Sequence, residues 1–103
     1  MTDPRGSSWQ VDVPTSRFER ARGLLGRTQL QERRAMLFER ARSVHTFGMR
    51  FEITAVFLDR HLRVVRVEHV SPGRLLLPRL RALHVLEAPE DADLLPGDQM
   101  RMD

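Results

Sequence analysis

The sequence predicts a mainly β fold: a compact, single-domain β-sandwich or partial barrel with one short N-terminal helix. Three observations predict it. Short apolar runs recur at about the 8–12-residue spacing of sandwich and barrel strands. Turn formers such as Ser71-Pro72-Gly73 and Leu95-Pro96-Gly97-Asp98 punctuate them. Only one segment carries a helix start and stop. With 103 residues and no cysteine, the chain is long enough for one core without disulfides, and a thiolate metal site or Cys nucleophile is excluded. Residues 1–8 read as a disordered N-terminal tail and 9–103 as the domain.

Taken in order, Trp9-Gln10-Val11-Asp12-Val13 alternates apolar and polar until Pro14 stops it, the pattern of a half-buried strand. Ser16-Arg17-Phe18-Glu19 has capping-box spacing, so Phe18, Ala21 and Leu25 line one face of a short helix that Gly26 ends. Ala35–Phe38 is a short buried strand or the end of a turn. The stretch Ser43–Asp59 then holds three of the five Phe and an isolated His. Gly48 interrupts it, which predicts a bulge or close backbone approach within one long, bent strand pair.

A second strand, Arg63–Val70, follows a loop at Asp59–Leu62. If only Arg60 and His61 form that loop, Arg66 lies beside Ala55 and Glu68 beside Ile53. If Leu62 is an extra, bulged residue, Ile53, Ala55, Phe57, Val65 and Val67 share one face while Thr54, Val56, Arg66 and Glu68 share the other. A one-residue slip moves a whole side-chain set to the wrong face, so the second register is expected, with Leu62 left-handed. Ala82–Leu86 reads as another buried strand, Glu90–Leu95 as one helical turn, Leu95–Asp98 as a type II turn and Gln99–Met102 as a closing strand.

All 17 basic residues are Arg, with no Lys, Tyr or Asn. Those missing residues share AT-rich codons, which indicates a GC-rich bacterial source and weakens the Arg excess as a nucleic-acid signal. Residues 17–42 carry eight Arg against three Glu, and 87–103 six acids against Arg101. A basic body with an acidic tail can bind phosphate or an acidic partner, or simply form a solvated surface. The N-terminus has no signal-peptide core and no run approaches the ~20 apolar residues of a membrane span, so a cytoplasmic protein is expected.

Several motifs occur in sequence: Glu19-Arg20-Ala21-Arg22-Gly23-Leu24-Leu25-Gly26-Arg27, Met36-Leu37-Phe38, His45-Thr46-Phe47-Gly48-Met49-Arg50-Phe51, Phe57-Leu58-Asp59, Val85-Leu86-Glu87 and Gly97-Asp98. The ordered set resembles the uncharacterised prokaryotic family known as domain of unknown function 192, over roughly residues 9–102. The resemblance implies a compact, mostly β fold with a short helix near the N-terminus and brings no established activity or catalytic residues. The chain departs from the family pattern at Thr54 in Glu52-Ile53-Thr54, where relatives tend to carry Asp, and at Leu62 and Asp91, where they tend to carry Gly. Many relatives also carry an export signal.

His45 is the candidate site residue. Beside Thr46 and near Met49 and Arg50, its imidazole could join a hydroxyl and a guanidinium around a small anion or polar ligand. Against that stands the plainer reading, in which His45 and Thr46 bond backbone and fix the bend. A metal site is not expected, because His45, His61, His69 and His84 show no paired spacing, and no cofactor is implied. Ser43 near His45 lacks a nucleophile elbow, and Gly23–Arg27 lacks the Lys and spacing of a phosphate loop. Leu75, Leu76 and Leu77 cannot all face one interior from an irregular segment, so they are a candidate partner surface. The expectation is a non-enzymatic binding or accessory domain for an unidentified small polar ligand or protein partner, monomeric or weakly homodimeric. The alternatives are an enzyme acting on a small polar substrate in a cleft around His45, and an Arg-driven nucleic-acid or phosphate binder. The aromatics sit at core-like positions rather than among the Arg clusters, which argues against the last.

Overall fold

Apolar alternation sets seven strands in a computed structural model that describes residues 1–13, 33–41, 44–46, 49–76 and 81–103. They are β1 (Gln10–Asp12), β2 (Arg34–Phe38), β3 (Val44–His45), β4 (Ile53–Leu58), β5 (Val64–Val70), β6 (Leu75–Leu76) and β7 (His84–Pro89). Five of them form one sheet in the order β1-β2-β7-β4-β5, and β3 pairs with β6 in a second, small sheet. The fold is mainly β. The expected helix over Ser16–Gly26 and the bulge at Gly48 lie outside the described residues. Among the described residues no helix is long and apolar enough to cross a membrane.

Strand β1 runs parallel to β2 and every other pairing is antiparallel. A parallel pair needs a connection of about a dozen residues or more, and residues 13–33 supply it. Ala35–Phe38, which the sequence left open between a short buried strand and the end of a turn, is a strand within β2, an inner strand between β1 and β7. The expected single bent pair across Ser43–Asp59 is corrected: β3 and β4 lie in different sheets. Between them, the Met49 N–H donates to the Thr46 carbonyl (3.2 Å).

Both faces of the large sheet are covered, which is why all six residues of β4 are buried. One face holds Met1, Trp9, Ala35, Leu37, Val56, Leu58, Val64, Leu86, Ala88, Leu94 and Met100. The other holds Met36, Phe38, Met49, Ile53, Ala55, Phe57, Val70 and Val85, with Phe51 and Leu76 packed against them. The first face is wrapped by the chain ends. Arg63 bridges Gln99, Thr2 bridges both Arg101 and Ser8, and Ser8 leads into β1. This path closes one end of the sheet like a barrel. Residues 1–8 are thus no disordered tail: Met1 and Asp3 are buried and Thr2 is hydrogen-bonded on both backbone groups.

The β4–β5 register differs in part from the expected one. Ile53 lies opposite Val70, Ala55 opposite Glu68, Val56 opposite Val67 and Phe57 opposite Arg66, while Leu58 lies opposite Val64. Next to the loop the expected register holds, with Leu62 as the extra residue and the Asp59 N–H donating to the Arg63 carbonyl (3.0 Å), but Val65 is a second extra residue that shifts the pairing once more between Leu58 and Phe57. Arg66 and Glu68 therefore share the face of Ala55 and Phe57, and Val67 shares that of Val56. Leu62 does adopt the expected left-handed conformation, with φ 66°. The turn after it at Leu95–Asp98 also forms, with the Asp98 N–H donating to the Leu95 carbonyl (3.0 Å) and Gly97 at φ 93°. Glu90–Leu95 makes a single turn, closed by the Ala92 N–H on the Pro89 carbonyl (3.0 Å), and no helix.

Candidate functional site

Strand β7 is the middle strand of the sheet, and its residues Val85, Leu86 and Ala88 are fully buried. Alternation along it places Glu87 on the same face as Val85, an acid inside an otherwise apolar run. Its direct neighbours are Met36 on β2 and Ala55 on β4. Continuing outward, Asp12 lies opposite Met36 and Glu68 opposite Ala55. One row thus crosses all five strands as Asp12, Met36, Glu87, Ala55 and Glu68.

The three acids of this row differ in how they are satisfied. At one edge the Arg34 guanidinium donates twice to Asp12 Oδ2 (3.3 and 3.2 Å). At the other, Arg66 Nη2 donates to Glu68 Oε1. Glu87, between them, is only 6% exposed. Among the described residues no group hydrogen-bonds its carboxyl, and burial alone pushes its pKa up to about 7. Met49 packs on the same face as Met36 and Ala55, so the described residues on that face beside Glu87 are apolar.

The residues singled out from sequence fall around this face in different roles. The backbone of His45 pairs with Leu75 in the β3–β6 sheet; its side chain lies outside what the structure describes. Thr46 is completely buried. Its hydroxyl donates to the Ser71 carbonyl (2.7 Å) and accepts from the Arg74 N–H (2.8 Å), while its backbone bonds Arg74 and Gly73. This is the plainer reading for Thr46: a clip between two loops, with its hydroxyl engaged. Met49 is buried in the apolar cluster and Arg50 is exposed. Leu75 is 55% exposed, Leu76 half-buried against the cluster, and Leu77 lies outside the described residues.

Two further polar groups are structural. Thr54, buried on the opposite face, donates to the Glu90 carbonyl (3.1 Å) and meets His69 Nδ1 at 3.3 Å. Asp59 accepts from the His61 and Arg63 N–H groups (2.8 and 3.0 Å) and so ties the hairpin loop. No three His, Asp or Glu side chains among the described residues converge as a metal site. Glu87 was missed as a site residue. The signal was present, because an acid alternating in step with Val85 inside a buried run has no solvent to face.

Comparison with known proteins agrees with this architecture. The family model DUF192, described as an uncharacterised ancient conserved region, matches residues 1–102. A UPF0127 protein of Pyrococcus horikoshii is 31% identical over 97 residues, covering 86% of this chain and 82% of that protein. The crystal structure of a protein of unknown function from Novosphingobium aromaticivorans superposes with a TM-score of 0.80 at 22% identity, covering 95% of this chain and 79% of that one. That likeness shows the fold alone.

Proposed function

The chain belongs to the DUF192 family of uncharacterised proteins, and from that premise we propose that it is a small binding domain, without chemistry of its own, for a small polar ligand held on the Glu87 face. The observation that carries this reading is Glu87, a residue only 6% exposed whose carboxyl is unbonded among the described residues. A buried polar group left without a partner costs about 1–3 kcal/mol. Perturbed, unsatisfied acids of this kind concentrate where a group meets something that comes and goes. Its neighbours Met36, Ala55 and Met49 offer apolar contact and no second titratable group for general acid–base or nucleophilic work. Thr46 would act on this site only by holding the loop that carries Met49 and Arg50.

The test is ligand-observed NMR with a mixture of small polar metabolites, comparing the natural protein with Glu87→Gln. At least one compound should broaden with the former and stay sharp with the latter. Equal binding to both, or to neither, overturns the reading. His45→Ala should lose the same ligand with little change in melting temperature if the imidazole lines the site. A stability loss of about 1–3 kcal/mol would instead make it a structural residue. A second reading, a protein partner over Leu75–Leu77, is favoured by the 55% exposure of Leu75.

A further inference from the structure

We propose that the ligand of this face is an organic cation with an apolar flank, an alkyl- or arylammonium, which takes the place of the proton on Glu87. The inference rests on the binding reading above and names the chemistry that fits it.

From β2 and β1, the charged groups on this face are Arg34 and Asp12, already bonded to each other. From β5 they are Arg66 and Glu68, also bonded to each other. Strand β4 contributes only Ile53, Ala55 and Phe57, and the covering loop contributes buried Met49 and exposed Arg50. Among the described residues, each cation on the sheet face is thus committed to an edge acid, and the central acid has none. An anionic ligand would meet the Glu87 carboxylate with Arg34 and Arg66 already paired to Asp12 and Glu68. A metal ion would need three or four donors, and among the described residues no three His, Asp or Glu converge to supply them. A neutral ligand would leave the charged carboxylate as poorly compensated as before. An ammonium compensates it directly, and Phe57, Phe38, Met36 and Met49 favour an apolar or π-contacting flank.

The exchange balances. The protonated carboxyl and R–NH3⁺ give a carboxylate–ammonium pair and one released proton. With the empty group titrating at about 7, binding below that pH has to expel the proton and weakens as the solution is acidified.

The test titrates n-butylammonium, 1-butanol and butyrate into protein labelled at its Met methyls, so that Met36 and Met49 report the face. Only n-butylammonium should shift them, with affinity rising about tenfold per pH unit between pH 5 and 7. Calorimetry at pH 6 in two buffers of different ionisation heat should read close to one proton released. Glu87→Gln, close to the natural residue in shape, should weaken binding at least tenfold while still melting cooperatively. Butylammonium binding that is independent of pH, or unchanged in Glu87→Gln, overturns the proposal. Shifts from 1-butanol or butyrate without butylammonium overturn the cation but leave a binding face. Silence from all three overturns both.

Discussion

Among the described residues, Asp3 and Glu87 are both buried acids, and folding treats them in opposite ways. Burial would raise the Asp3 pKa, but its carboxyl accepts from Trp9 Nε1 and from the Ser7 and Arg5 N–H groups, each at 3.0 Å, with Arg5 nearby. Those bonds win, and its pKa falls below the usual range. Glu87 has burial alone and rises from 4.5 to about 7. The two therefore act on stability with opposite sign. A raised carboxyl pKa means the folded state holds a proton that the unfolded chain has given up. Stability from Glu87 is thus fully present below about pH 4.5 and declines as pH rises through about 7. The decline amounts to about 3 kcal/mol. Glu87→Gln should remove this part of the slope and leave the protein more stable than the natural one at pH 8, as read by urea unfolding at several pH values. Parallel slopes for the two proteins would contradict it. The alternation of Glu87 with Val85 marked it as buried, but nothing in the sequence told the two acids apart, because an Asp or Glu advertises charge and says nothing of whether a donor will meet it.

At the scale of elements, the β4–β5 hairpin shows what alternation reveals and what it hides. The left-handed conformation at Leu62 was legible, because five residues from Asp59 to Arg63 have to reverse the chain without a glycine. The register beside the loop was legible too, but the further shift at Val65 was not, because β4 is buried on both faces and its apolar pattern fits either side equally. Only the partner strand β7 and the wrapping chain ends fix which face becomes the interior. Leu62 is also more than a strained turn residue. It is half-buried against the first apolar cluster, so Leu62→Gly relieves the backbone but loses packing. The two effects are separable. Leu62→Ala loses the packing and keeps the strain, so Leu62→Gly should be the more stable of the two by about 1 kcal/mol, the reverse of the usual order for these residues. Equal stability, or Ala above Gly, would show that the backbone at Leu62 is unstrained.

For the whole molecule, the decisive contacts join residues far apart in sequence. The Thr2 N–H donates to the Arg101 carbonyl (2.8 Å), the Arg101 N–H returns to Thr2 (3.0 Å), and the Met100 N–H bonds the Leu62 carbonyl (3.0 Å). The alternation of Trp9–Val13 and Gln99–Met102 foretold extended chain at both places. It did not foretell that residues 1–8 bind between them, because that segment has no periodicity and earns its order from Asp3 and Trp9 instead. Thr2→Pro removes the first donor and should cost about 1–3 kcal/mol. Trp9, the only tryptophan and 4% exposed, is the natural probe. Its emission should shift to the red at lower denaturant than in the natural protein. An unchanged transition would mean that the strap adds nothing to the closed sheet.

The place of β7 has a consequence for how the chain is made. It lies between β2 and β4 in the sheet but follows both in the sequence. A nascent chain emerging from the ribosome therefore exposes both of these apolar strands, each missing a neighbour, until His84–Pro89 has been synthesised. Up to that point only the pairs β1–β2 and β4–β5 of the large sheet have both partners synthesised, and nothing joins one pair to the other. Completion of the sheet is thus a late, all-or-nothing event, and a translational pause or truncation just before His84 leaves two open strand edges of the kind that drive aggregation.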